Sequence, residues 1–248
     1  GFIAFSQVLA YNSNDPGQFL KKLLIPLAAS VAGSILLAFS GVVTGLNFIL
    51  GVFFTLFGLF ASLYNLVVLK TRPSNVAAII THIGFVIFVL GAVITFSNST
   101  VISSNTSKFD LGSQKENSEN LVLMRGDTLF MNGYYVSYVN NRAEGNTTVY
   151  KVDFMVKELG KYKLDFSLFP SVNAHPRMGA VYNPATQHFL LRDFYTYIAI
   201  VSKEPDYIVI KAIMNPYINV LWLGSIVMIA GIGLALAKRA RKRWLWNP

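Results

Sequence analysis

Three stretches carry no charged residue: Leu23 to Leu69, Pro73 to Ser107 and Ala212 to Ala237. Spanning the hydrocarbon core of a bilayer takes about 20 apolar residues in a helix, so each stretch is long enough for at least one span. The first is too long for one. Gly41-Val42-Val43-Thr44-Gly45 lies near its middle, and paired glycines suit a tight reversal. The pattern therefore predicts helices over roughly 22–40, 46–69, 76–97 and 216–238. The alternative, buried core helices of a soluble protein, is disfavoured by the lengths and the flanking charges.

The chain between the third and fourth helices follows a different rule. Asn98 to Asn120 is polar and reads as a flexible connection. Beyond it Tyr150, Val152, Phe154 and Val156 alternate with Lys151, Asp153 and Lys157, and Leu164, Phe166 and Leu168 alternate with Lys163, Asp165 and Ser167. A period of two is that of half-buried strands. Further strands are expected at 121–124, 133–140, 187–201 and 207–213. The predicted fold class is membrane all-α, with about four transmembrane helices and an inserted, small extracytoplasmic β domain of sandwich or barrel-like form. Its parts are a membrane region over 1–97, the β domain over 98–211, and a final helix with a basic tail over 212–248. Phe2 to Tyr11 reads as the end of a preceding apolar helix, which with Gly1 in place of Met implies a larger parent.

Composition agrees: 53% of residues are hydrophobic and 13% charged, against about a quarter charged in soluble domains. The net charge of +9 would invite a nucleic-acid reading until its placement is considered. Lys21, Lys22, Lys70, Arg72, Lys238, Arg239, Arg241, Lys242 and Arg243 all flank the apolar runs. The stretch from Lys108 to Lys211 is nearly neutral and lacks the basic and aromatic interleaving that tracks a phosphate backbone, so nucleic acid is a poor partner. With four crossings the basic flanks fall on one side, the cytoplasm or matrix, and the inserted domain faces the other compartment. Asn98, Asn105 and Asn146 begin N-x-[ST] triplets, which carry no weight outside a secretory pathway.

The absence of cysteine excludes disulfides, thiolate metal sites and a thiol nucleophile on this chain. His82 is the one histidine inside an apolar span, and an ionisable side chain at membrane depth is a functional candidate by default. The helix face through His82, Phe85, Val86 and Val89 would suit the wall of a haem, whose iron accepts a neutral imidazole nitrogen. An interhelical hydrogen bond explains the same residue, and spacing alone leaves both readings open. Gly84 and Gly91, and Gly224 and Gly231, each recur after seven residues and permit close backbone approach. Arg125-Gly126-Asp127 and Arg192-Asp193 read as a turn or surface ion pairs, and His175 and His188 as loop residues. No phosphate-binding loop, H-E-x-x-H, nucleophile elbow or paired-carboxylate motif is present.

Several segments are familiar as a set. They are Phe19-Leu20-Lys21-Lys22-Leu23-Leu24-Ile25-Pro26-Leu27; Thr81-His82-Ile83-Gly84 with Phe88-Val89-Leu90-Gly91; Glu119-Asn120-Leu121-Val122-Leu123 with Gly126-Asp127 and Gly133-Tyr134. Phe169-Pro170, Arg177-Met178-Gly179, Pro184-Ala185-Thr186-Gln187-His188, Arg192-Asp193-Phe194-Tyr195-Thr196, Asn215-Pro216-Tyr217 and Trp222-Leu223-Gly224 with Met228 follow. In this order they resemble the C-terminal portion of the cytochrome c maturation haem lyases of the CcmF / CcsA-like family, in its Bacteroidota-type form. The resemblance implies attachment of haem b to the two cysteines of apocytochrome c, whose thiols belong to the substrate. It implies His82 as an axial ligand of haem iron, and as partners apocytochrome c, an N-terminal haem-lyase portion or subunit, and a haem donor or chaperone. It implies the bacterial inner membrane with the β domain in the periplasm, the mitochondrial inner membrane being the alternative. The orientation places His82 in the inner half of its helix. The family's tryptophan-rich haem segment is absent and Trp222, Trp244 and Trp246 do not form it, so lyase activity is expected to require the N-terminal portion. Two rivals remain: a non-catalytic scaffold or assembly subunit, and a small-molecule transporter, the latter weakened by the lack of charged residues within the spans.

Overall fold

A computed structural model describes residues 2, 5–6, 16–69, 75–107, 109–203 and 206–246. Lys70, Arg72, Lys108 and most of the expected helix end at Phe2–Tyr11 lie outside the described residues. The chain forms two compact units, 1–98 with 217–248, and 99–216.

Four helices of the first unit are long and apolar enough to cross a membrane. These are α1 (Pro16–Phe39), α2 (Leu46–Val67), α3 (Val76–Asn98) and, after the inserted unit, α5 (Ile218–Trp246). The first begins earlier than its apolar run because Pro16 occupies its first turn, where a missing N–H costs nothing. The last continues past Lys238 because Lys, Arg, Ala and Leu all favour helix. The expected reversal joins α1 to α2: Gly41 and Gly45 sit at φ 73° and 88°, conformations that side chains disfavour. The end of α3 ties this turn down, since Asn98 Nδ2 donates to the carbonyls of Val42 and Ile94, both at 2.7 Å. Ser34 and Ser62, buried in the spans, donate to carbonyls four residues back in their own helices, whereas the buried Thr95 hydroxyl finds no partner among the described residues.

Glycines set the helix spacing. A methyl at Gly33 would lie 3.0 Å from Leu56 Cδ1, and methyls at Gly51 and Gly58 would lie 3.3 and 3.2 Å from Val93 and Val86. Between α3 and α5 the approach is closer and reciprocal. A methyl at Gly84, Gly91, Gly224 or Gly231 would lie 2.2, 2.3, 2.1 or 2.5 Å from the backbone nitrogen of Met228, Leu221, Phe88 or Thr81 respectively. The seven-residue spacing thus builds an antiparallel seam in which backbone packs on backbone.

The second unit is two antiparallel sheets. One has the order β1 (Thr100–Val101), β11 (Asp206–Pro216), β10 (Arg192–Lys203), β9 (Ala185–His188), with β2 (Leu121–Met124) also on β11. The other has the order β3 (Thr128–Met131), β4 (Tyr134–Glu144), β5 (Thr147–Glu158), β7 (Ser171–His175), β8 (Gly179–Asn183), with β6 (Lys161–Leu168) also on β5. Residues of both sheets share one core, including Leu121, Tyr138, Val152, Phe154, Phe194 and Ile208. Phe154 stacks on Phe166 at 4.7 Å between centroids.

Three local expectations are corrected. The described residues of the connection Asn98–Asn120 are structured: Ile102 and Ser103 are buried, and α4 (Gln114–Glu119) is capped by Ser113, whose hydroxyl accepts from the N–H of Glu116. Asn117 accepts from the N–H of Leu111 and from Asn105, so side-chain hydrogen bonds order a segment short of apolar residues. Leu164 points away from the core, 51% exposed, because a bulge between Phe166 and Leu164 shifts the register against Phe154 and Met155. The single strand expected at 187–201 is two, β9 and β10, reversing at Leu190-Leu191.

Candidate functional site

His82 lies in the first half of α3, half-buried, and no hydrogen-bond partner reaches its ring among the described residues. One turn further along, Phe85, Val86, Val89 and Val93 form one side of an apolar groove of about 300 Å³, with Gly51, Phe54, Thr55 and Gly58 of α2 on the other. Of the residues expected to wall a planar apolar ligand, Phe85, Val86 and Val89 line this groove, and His82 lies on the same helix face outside its lining. The groove's volume is at the small end for ligand clefts, and it is partly open. Sequence reasoning had not marked α2. Its own heptad pair, Gly51 and Gly58, lets Val93 and Val86 approach and leaves Phe54 and Thr55 to shape the groove.

The β unit holds two polar clusters. In one, the buried ring of Tyr138 is capped by charge: its hydroxyl accepts from Arg125 at 3.1 Å and Asn141 at 2.8 Å and donates to Asp206 at 3.3 Å. Arg125 completes the ring by pairing with Asp206 at 2.9 Å, so its partner is not the neighbouring Asp127. Burial pushes the Tyr138 phenol above its ordinary value, and the hydrogen bond from Arg125 opposes this; the same bond raises Arg125.

In the other, Asp193 turns away from Arg192 and lies beside His188, Oδ2 to Nδ1 at 2.7 Å. The carboxylate side chain is 7% exposed and the imidazole 68%. His188 ends β9 and stands directly opposite Asp193 in the ladder, so neither residue is in a loop. His175 also ends a strand, and its Nδ1 accepts from the N–H groups of Arg177 and Met178, a turn-closing role. Arg192 covers the rings of Phe189 and Phe194 at 5.9 and 5.3 Å. Among the described residues no three His, Asp or Glu side chains converge on a point where they alone would hold a metal ion.

Four apolar helices with a two-sheet β unit inserted between the third and fourth define a multi-pass membrane protein of recognisable design. The solved structure of "Cytochrome c Heme Lyase CcmF" has this fold: it matches 92% of the chain with a TM-score of 0.65 at 14% sequence identity. The chain spans 36% of the length of that protein. The expected resemblance is thereby met at the level of the fold. No protein-family model matches the sequence, and no curated protein matches it.

Proposed function

We propose that the chain is the part of a membrane haem lyase that helps enclose haem b in the bilayer and presents apocytochrome c to it. The observation that carries this reading is His82, an imidazole within an apolar span, without a hydrogen-bond partner among the described residues, one turn from a groove lined by Phe85, Val86 and Val89. An unpaired imidazole at that depth costs free energy unless something binds it. Haem fits the residues present: the iron takes a neutral imidazole nitrogen, and the macrocycle needs apolar walls without charge. The likeness in fold to the solved haem lyase supports the same assignment.

In this reading His82 would hold the iron, and Phe54 of α2 with Phe85, Val86 and Val89 of α3 would supply apolar walls that exclude water. Bound haem supplies vinyl groups to which the two substrate thiols add, the thiols coming from apocytochrome c because this chain has no cysteine. The β unit faces the outside of a bacterial inner membrane and receives apocytochrome c or a haem donor. An N-terminal lyase portion supplies the remaining ligands. The test is an optical spectrum of the detergent-purified chain with and without His82→Ala, alone and co-expressed with that portion. A Soret band that depends on His82 supports the reading. A band that the substitution leaves undiminished assigns the ligands elsewhere, and no band in any combination favours a scaffold subunit.

A further inference from the structure

The pair His188–Asp193 is built as a ligand and its support. Asp193 is buried, and it sits between His188 of β9 and Asn215 of β11 in one row across the sheet. Asn215 is engaged elsewhere, accepting from the hydroxyl of Ser99 at 2.8 Å. The second carboxylate oxygen, Oδ1, has no hydrogen-bond partner among the described residues. Burying a carboxylate with a single hydrogen bond is expensive, and the two-residue reversal that joins β9 to β10 needs no acid for its own closure, since Phe189 N–H already donates to the Arg192 carbonyl at 2.9 Å. What the carboxylate does accomplish is to hold the ring. A proton on Nδ1 is donated to Asp193, which leaves Nε2 as the lone-pair nitrogen of a mostly exposed imidazole. A carboxylate behind the far nitrogen is the usual support of a metal-binding histidine, fixing the tautomer and strengthening the donor.

No three His, Asp or Glu groups among the described residues converge on a metal ion, so His188 and Asp193 are joined by no third such donor. A metalloporphyrin differs, because its macrocycle already supplies four nitrogens and asks the protein for one. Beside His188 the reversal exposes Leu190 and Leu191, at 84% and 67%, which gives the ring plane an apolar neighbour. We propose that His188 Nε2 is an iron ligand for haem at the surface of the β unit, with Asp193 as its positioning residue. This rests on the reading that the chain handles haem, and assigns it a second point of contact besides His82.

The test is titration of the purified full chain in detergent with ferric haem, in wild type, His82→Ala, His188→Ala, His188→Gln and Asp193→Asn, and in the latter three combined with His82→Ala. His188→Gln retains a donor for Asp193 while removing the ring, which separates loss of ligation from loss of the hairpin. The expected result is a Soret band that His82→Ala diminishes, whose remainder disappears when either His188 change is added. Asp193→Asn should weaken that binding about 10–100-fold and lower the iron–histidine stretching frequency of the ferrous form. Haem should also protect His188 from carbethoxylation by diethyl pyrocarbonate, read by peptide mass spectrometry. A band indifferent to both His188 substitutions, or carbethoxylation undiminished by haem, overturns the assignment and leaves the role of His82 standing. Absence of any band in wild type overturns the assignment of His188, while the role of His82 is decided by the spectrum of the co-expressed portions.

Discussion

Introducing one methyl group into the α3–α5 seam gives a sharp test of how the helical unit is held together. In Gly84→Ala the new carbon lies 2.2 Å from the Met228 nitrogen, 1.2 Å short of the 3.4 Å at which ordinary contact begins, and in Gly224→Ala it lies 2.1 Å from the Phe88 nitrogen. The obstructing atoms are backbone, so no rotamer change relieves the clash and the helices must part. A gap of about 0.5–1 Å already forfeits a quarter to a half of each dispersion well, and overpacking a well-fitted site costs about 1–3 kcal/mol. Each single change should therefore cost about 2–3 kcal/mol. One separation accommodates both methyls, so the double variant should cost about 1–2 kcal/mol less than the two singles added. Gly233→Ala, where a methyl would meet nothing within 4 Å, serves as control and should leave stability unchanged or raise it by up to about 1 kcal/mol. The assay is unfolding in mixed micelles against SDS mole fraction, followed by tryptophan fluorescence, for which Trp222 on α5 is a reporter beside the seam. Single variants within about 0.5 kcal/mol of wild type, or a fully additive double, would refute the claim that backbone contact sets this interface.

The β unit offers further tests. Lys211 donates a hydrogen bond to Glu119 and holds its carboxyl below the ordinary value near 4.5. A depressed folded pKa stabilises above the unfolded value and loses that contribution as pH falls through the folded one, so thermal unfolding midpoints should drop below about pH 4.5, and Glu119→Gln should flatten that decline. Tyr138→Phe leaves Arg125, Asn141 and Asp206 without their shared hydroxyl and should cost about 1–3 kcal/mol in chemical denaturation. Leu164→Lys should change stability by less than about 0.5 kcal/mol, whereas Phe166→Ala, two residues on, should cost about 3–5 kcal/mol; equal costs would place the bulge wrongly.

The membrane helices were legible because a bilayer imposes length and excludes charge, both properties of composition that need no knowledge of partners. The glycine seam was legible for a related reason, since a seven-residue recurrence of Gly84 and Gly91 has few meanings in an apolar helix. Strands β5 and β6 showed their alternation up to Asp165, where the bulge broke the period that would have kept Leu164 inward. The connection before β2 was misjudged because its order comes from Asn105, Asp110, Ser113 and Asn117 bonding to one another and to nearby backbone, while composition registers only that it is polar. The pair His188–Asp193 was hidden for a geometric reason. A five-residue separation becomes a direct cross-strand contact only if the chain reverses between the two residues, and Leu190-Leu191 carries none of the glycine, asparagine or proline that usually marks such a turn. His82 stood out at once, yet the α2 side of its groove depends on Gly51 and Gly58, whose meaning appears only when α2 is laid against α3.

The first and last strands of the β unit are partners: Thr100 pairs with Met214 and Val101 with Ile213. The 118 residues from Ser99 to Pro216 therefore start and finish about one strand spacing apart. To the helices on either side, a folded insertion of this kind behaves like a short loop. Closing an unstructured loop of that length costs about 3 kcal/mol more entropy than closing one of four residues. If the β unit folds first, that entropy is already lost when α3 and α5 meet, and glycine seam and inserted unit assemble in a preferred order. The insertion then acts as a clasp for the membrane hairpin during biogenesis.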